Sequence, residues 1–168
     1  MKCYNLSRKE AKYNTVEVNP SENAWISVME PDGKDFVRSH IENEFLDKCP
    51  TLKMKFWDVS YKVPFIGSSF EENEATEYAE PITDEQITEL YTFIMTHKDK
   101  NIYVNCAAGK CRSGAICQFC QDMLQFEWPD QFKNRAVPNS YVYKKLIELF
   151  FRNGGTPPTI IHDRRRIK

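Results

Sequence analysis

Asn101-Ile102-Tyr103-Val104-Asn105-Cys106-Ala107-Ala108-Gly109-Lys110-Cys111-Arg112-Ser113-Gly114 carries a strand, a loop and the start of a helix in one short span. The apolar run Ile102-Tyr103-Val104 reads as a buried strand over 101–105. Beyond the loop, Ala115, Ile116, Phe119, Met123 and Leu124 recur at helical spacing and predict a helix over 113–126. Between them stand a thiol, five residues, an arginine and a hydroxyl. A loop joining a strand to a helix N-terminus gathers backbone N–H groups on one spot and favours an anion there. Cys106 opens the loop and Arg112 closes it, so a thiolate and a guanidinium can face one bound oxyanion. Phosphate suits that pairing, because arginine offers two parallel hydrogen bonds.

Composition narrows the setting. The chain has 168 residues, 41% of them hydrophobic and 13% aromatic, which fits one soluble domain spanning 1–168 with a real core. Its net charge of −1 provides no global field for nucleic acid or membrane. Met1 to Glu10 lacks the apolar stretch of a signal peptide, and no run approaches a membrane span, so a cytoplasmic protein is expected. Of six cysteines, Cys106, Cys111, Cys117 and Cys120 crowd together, which without secretory signals argues for reduced thiols. None of His40, His97 and His162 has metal-ligand spacing to a cysteine pair, so neither zinc nor any cofactor is expected.

Along the chain, residues 3–19 are polar with scattered apolar positions, and Ser7 with Glu10 predicts a capped short helix through Lys12. Ala24 to Met29 reads as a buried strand ended by Glu30-Pro31-Asp32-Gly33. Phe36, Val37, Ile41, Phe45 and Leu46 predict an amphipathic helix over 35–48, stopped by Pro50. Leu52, Met54 and Phe56 alternate with Lys53, Lys55 and Trp57, a half-exposed strand ending near Asp58. Residues 60–81 show no period, carry five glutamates, and read either as a functional lid or as a solvated insertion. Thr83-Asp84-Glu85-Gln86 opens a helix reaching about His97. Pro138-Asn139-Ser140 opens the last helix, closed by Asn153-Gly154-Gly155, with a flexible tail from Thr156. Helices alternating with strands make the class α/β, with a central, mostly parallel twisted sheet flanked by helices.

The Cys106-to-Ser113 loop resembles the signature loop of the cysteine-dependent tyrosine and dual-specificity phosphatases: Cys, five residues, Arg, then Ser or Thr. Gly109 matches the loop's usual central glycine. Leu6-Ser7-Arg8-Lys9-Glu10-Ala11, Ile26-Ser27-Val28, Met54 to Val59, Ile82 to Gln86 and Pro138-Asn139 are similar to segments of small bacterial or phage members. A phage origin would make the host cytoplasm its compartment. The resemblance covers most of the chain, strongly in the loop and loosely elsewhere.

That resemblance implies Cys106 as the nucleophile of a phosphocysteine intermediate. An ordinary thiol is only about 3% ionised at neutral pH, and a helix N-terminus beside an arginine corrects that. Ala107, Ala108, Gly109, Lys110, Cys111 and Arg112 would bind the phosphoryl group, and Ser113 would assist the thiolate or cap the helix. The Ala-Gly-Lys stretch resembles loops of lipid-phosphate phosphatases, but Lys110 reads as a solvated surface charge. Asp58, at a strand end on the sheet edge that Cys106 shares, would be the general acid, with Glu71, Glu72 and Asp84 as rivals. Trp128-Pro129-Asp130 resembles the acid-bearing tripeptide of the large tyrosine phosphatases. It follows the nucleophile instead of preceding it, and reads as a helix-ending turn. Cys117 and Cys120 lie inside a helix and read as core. Cys111 is near enough in sequence to pair with Cys106 on oxidation. Arg164-Arg165-Arg166 reads as a solvated tail.

One position departs from the resemblance. Asn105 stands where those phosphatases have histidine; its amide can donate a hydrogen bond but carries no charge. The implied activity is hydrolysis of phosphotyrosine, with phosphoserine and phosphothreonine as further substrates and phosphorylated proteins as partners. The alternatives are a weakened domain that captures phosphorylated partners, or a phosphatase of phosphoinositide or RNA 5′-triphosphate. The acidic 71–80 stretch disfavours a polyanion.

Overall fold

The computed structural model describes residues 1–13, 18–31, 40–64 and 78–158. In chain order the elements are β1 (Cys3–Leu6), α1 (Arg8–Tyr13), β2 (Asn23–Met29), a 3₁₀ turn (Leu46–Lys48), β3 (Thr51–Lys55), β4 (Val63–Pro64), β5 (Tyr78–Ala79), α2 (Asp84–Thr96), β6 (Asn101–Asn105), α3 (Arg112–Leu124), α4 (Asp130–Lys133) and α5 (Ser140–Arg152). Four strands form a sheet in the order β1, β6, β2, β3, every neighbouring pair parallel. β4 and β5 make a separate antiparallel ribbon. The expected α/β class with flanking helices is therefore present, and its main sheet is wholly parallel.

Alternation along the strands sorts side chains between two layers. Ile26, Val28, Leu52, Met54, Ile102 and Val104 enter the larger core with residues of α2, α3 and α5, including Leu90, Phe119 and Leu146. Trp25, Leu6 and Tyr103 enter a smaller cluster with Ala11, Ile41 and Leu46. All seven residues of β2 are buried, as suits an inner strand of a parallel sheet. Because the strands are parallel, their C-terminal ends share one edge. Ser7, Glu30, Phe56 and Cys106 follow β1, β2, β3 and β6 there.

Local chemistry sets the helix starts. Ser7 and Glu10 form the expected reciprocal cap, with Glu10 N–H donating to Ser7 Oγ at 3.1 Å and Ser7 N–H to Glu10 Oε2 at 2.7 Å. Thr83 and Gln86 do the same for α2. The side chain of Gln86 also donates to the Lys55 carbonyl at 2.8 Å, tying α2 to the end of β3.

Three expectations change. Residues 3–6 form a strand, because β1 pairs with β6 from Cys3 opposite Ile102 to Leu6 opposite Asn105. The predicted 35–48 helix does not form over 40–48, which is irregular apart from the 3₁₀ turn. Its apolar residues Ile41 and Leu46 are nevertheless buried. Asn43 supplies the reason: its Oδ1 accepts from the N–H groups of Phe45 and Leu46, both at 3.0 Å, closing a side-chain turn that competes with helix. Finally, α3 stops at Leu124 with Gln125 in the left-handed region, so Trp128-Pro129-Asp130 does not end it; Pro129 begins α4. Residues 35–39, most of the acidic stretch (65–77, with Glu71 and Glu72) and the tail from 159, with Arg164 to Arg166, lie outside the described residues.

Candidate active site

The 106–112 loop is held by its carbonyls. Arg8 N–H donates to the Ala107 carbonyl at 3.1 Å, Val137 N–H to Lys110 at 3.3 Å and Asn139 N–H to Cys111 at 3.1 Å. The fully buried Asn5 donates from Nδ2 to the Gly109 carbonyl at 2.6 Å. Asn5 is itself fixed by Trp128, whose indole N–H donates to Oδ1 at 2.7 Å. The amide N–H groups of residues 107–111 donate to no described residue, and Cys111 places no side-chain cap on α3. With carbonyls turned outward and N–H groups unspent, the loop has the donor pattern of an anion cradle. The N-terminus of the 13-residue α3 adds its dipole to the same spot.

Gly109 makes the curl possible. Its φ is +68°, and a Cβ there would lie 2.4 Å from the Ser7 nitrogen and 2.6 Å from the Leu6 carbonyl carbon. Both the backbone angle and the contact with the β1–α1 junction require glycine.

Cys106 is buried, with Sγ 3.1 Å from the hydroxyl of buried Ser113. Arg112 is 3% exposed, so it is no surface residue of the helix. It donates from Nη1 to the Phe56 carbonyl at 2.8 Å and from Nη2 to Glu30 Oε1 at 2.5 Å. Its Nε has no hydrogen-bond partner among the described residues. Ala107, Ala108 and Lys110 are exposed, leaving a small-residue rim with one solvated cation.

Asp58 is exposed and accepts from Asn139 Nδ2 at 2.7 Å. Burial, then the nearby Asp58 carboxylate, push the Cys111 thiol up to about 11. Asp58 thus stands at the loop's far end. Its rival Asp84 does not: it pairs with Lys145 at 2.9 Å at the start of α2. Asn105 is fully buried, its Oδ1 accepting from the Trp25 indole at 2.8 Å, while its Nδ2 has no partner among the described residues. Cys117 and Cys120 are wholly buried in the larger core, and Cys3 Sγ approaches Cys117 Sγ to 2.7 Å.

Sequence reading missed Glu30, Asn5 and Asn139 as parts of this site. The available signal was position, since Glu30 follows a buried strand parallel to the one ending at Cys106. Asn5 carried no signal until β1 was paired. A groove of about 750 Å³ beside α2, lined by Leu52, Thr88, Phe93 and His97 among others, includes no residue of the loop. The loop therefore does not line that concavity. Among the described residues no group of three or more His, Cys, Asp or Glu is arranged to hold a metal ion, and no helix is long and apolar enough to cross a membrane.

This parallel sheet with its flanking helices is similar in fold to a solved tyrosine phosphatase-like protein. The structure of human tyrosine phosphatase-like serine/threonine/tyrosine-interacting protein matches it with a TM-score of 0.53 at 13% identity, over 91% of this chain and 93% of that one. PTPMT1 in complex with PI(5)P gives 0.49 at 10% identity, over 90% and 94%. Tk-PTP in the active form gives 0.45 at 13%, over 89% and 90%. No family model and no curated sequence matches the chain.

Proposed function

We propose that this chain is a cysteine-dependent phosphomonoester hydrolase acting on phosphotyrosine in proteins, with phosphoserine and phosphothreonine as further substrates. One observation carries the reading: the N–H groups of residues 107–111, which follow the buried thiol of Cys106, donate to no described residue, and that thiol has a hydroxyl at 3.1 Å. Those donors and the Arg112 guanidinium would hold three phosphoryl oxygens and take up the charge that builds on them in the transition state. Cys106 Sγ attacks phosphorus while Asp58 gives its proton to the departing oxygen. Water then attacks the phosphocysteine as the Asp58 carboxylate takes its proton, and Ser113 donates to the leaving thiolate. Acid–base assistance of this kind is typically worth about 10²–10⁴-fold.

Asn105 bears on efficiency. Trp25 fixes its orientation, so it supports the end of β6 by a neutral hydrogen bond and brings no positive charge to Cys106. That favours, as a second reading, a domain that captures phosphorylated partners and cleaves them slowly.

The deciding experiment is release of phosphate from a phosphotyrosine peptide in chelator, with wild type beside Cys106→Ser. Turnover by wild type alone, with tight peptide binding by Cys106→Ser, supports hydrolysis. Binding by both without release between pH 5 and 8 supports capture. A panel containing phosphoinositide and RNA 5′-triphosphate tests the substrate class.

A further inference from the structure

Asp58 follows β3 on an exposed, irregular segment, where a carboxylate has many orientations open to it. We infer that Asn139 is the positioning residue that holds this acid over the phosphate loop; the inference rests on reading Asp58 as the acid. Asn139 Oδ1 accepts from the N–H groups of Tyr141 at 3.0 Å and Val142 at 3.1 Å, capping the 13-residue α5. With that oxygen fixed, the amide nitrogen has one direction left, and it donates to Asp58 Oδ1 at 2.7 Å. The backbone N–H of the same residue donates to the Cys111 carbonyl at 3.1 Å. One residue at a rigid helix end thus grips both the acid and the loop, and sets the spacing between them.

The choice of asparagine follows. Serine caps a helix about equally well but has no second group to aim outward. The donor on Oδ1 leaves Oδ2 to carry the proton. In the first step the Sγ–P bond forms, the P–O bond breaks, and the leaving oxygen takes its electron pair together with the proton from Oδ2. In the second, water oxygen bonds phosphorus, its proton passes to Oδ2, and the S–P pair returns to Cys106. Asn139 is chemically unchanged throughout.

The test uses leaving-group dependence, because an acid matters most when the departing oxygen is basic. Wild type, Asn139→Ser, Asn139→Asp and Asp58→Asn are compared on tyrosine phosphate and nitrophenyl phosphate, with thermal unfolding in parallel. Both Asn139 variants keep a capping oxygen and should stay folded, so either serves if the other fails. Expected is a loss in kcat/KM, which reads only the first, leaving-group-dependent step, on the order of 10–100-fold on the tyrosine ester and less than about threefold on the nitrophenyl ester, a part of the acid's full effect. Asp58→Asn should show the same pattern, and adding Asn139→Ser to it should cost little more. Equal losses on both esters, or full activity of either Asn139 variant on the tyrosine ester, would overturn the role of Asn139. If Asp58→Asn itself does not discriminate between the esters, the assignment of the acid fails instead.

Discussion

The guanidinium of Arg112 meets the carboxylate of Glu30 at 2.5 Å, joining the start of α3 to the end of β2 across the sheet edge. Arg112 is 3% exposed and Glu30 15%, so neither charge is well solvated. Removing one partner from such a pair leaves the other charge buried and costs about 3–5 kcal/mol.

Glu30→Ala should therefore destabilise the fold by about 3 kcal/mol, with a smaller loss for Glu30→Gln, which keeps an acceptor. Denaturant unfolding checks this. Affinity for vanadate or phosphate should fall in the same order, because an arginine without its partner no longer presents a fixed fork.

Gly109→Ala tests the curl of the loop. The added carbon would stand 2.4 Å from the Ser7 nitrogen, so either the loop or the β1–α1 junction must move. A shift of about 1 Å at a reacting centre can cost about 100-fold, and kcat/KM should fall by at least that much. Circular dichroism should report retained secondary structure.

Thiol chemistry should single out Cys106. Cys3 and Cys117 are pushed up by burial, Cys120 by its hydrogen bond to Cys3 and by burial, Cys49 by burial, and Cys111 to about 11. These groups stay as inert thiols at neutral pH. Iodoacetate at pH 7 should label Cys106 first, phosphate should protect it, and peptide mass mapping reads both. The same chemistry disfavours rapid pairing of Cys111 with Cys106 under peroxide.

A pH effect comes from the other side of the loop. Arg135 pairs with Glu10 at 2.6 Å and donates to the Asn5 carbonyl at 2.6 Å. The arginine holds Glu10 down to about 2 from 4.5. A carboxyl depressed in this way stabilises the fold fully above pH 4.5, and that stability is lost as pH falls toward 2. Because the pair is partly exposed, screening reduces its worth to roughly 1 kcal/mol. Arg135→Met should lose that amount at pH 7 and show less loss of stability between pH 4.5 and 2, read by urea unfolding at each pH.

What the sequence revealed was whatever local chemistry alone determines. Ser7 with Glu10, Thr83 with Gln86, and Asn139 at the head of α5 announced three helix starts because capping acts within a few residues. The strand, cysteine, arginine and following helix were legible for the same reason. Cys3-Tyr4-Asn5-Leu6 was not, since four residues make a strand only by pairing with β6, some hundred positions away. The 35–48 spacing marked Ile41 and Leu46, which are buried, but not the backbone over 40–48, where the side chain of Asn43 outcompetes the helix. Glu30 and Asn5 became site residues only once the strands were set side by side.

Asn5, Trp128 and Asn139 fasten the cradle from opposite ends of the chain. A nascent polypeptide that has emerged only to residue 126 carries the whole cysteine-to-serine motif. It still lacks the indole that fixes Asn5 and the helix end that grips Cys111 and Asp58. Synthesis therefore separates possession of the motif from possession of its supports, and the loop around the thiol is fastened only late in the making of the molecule.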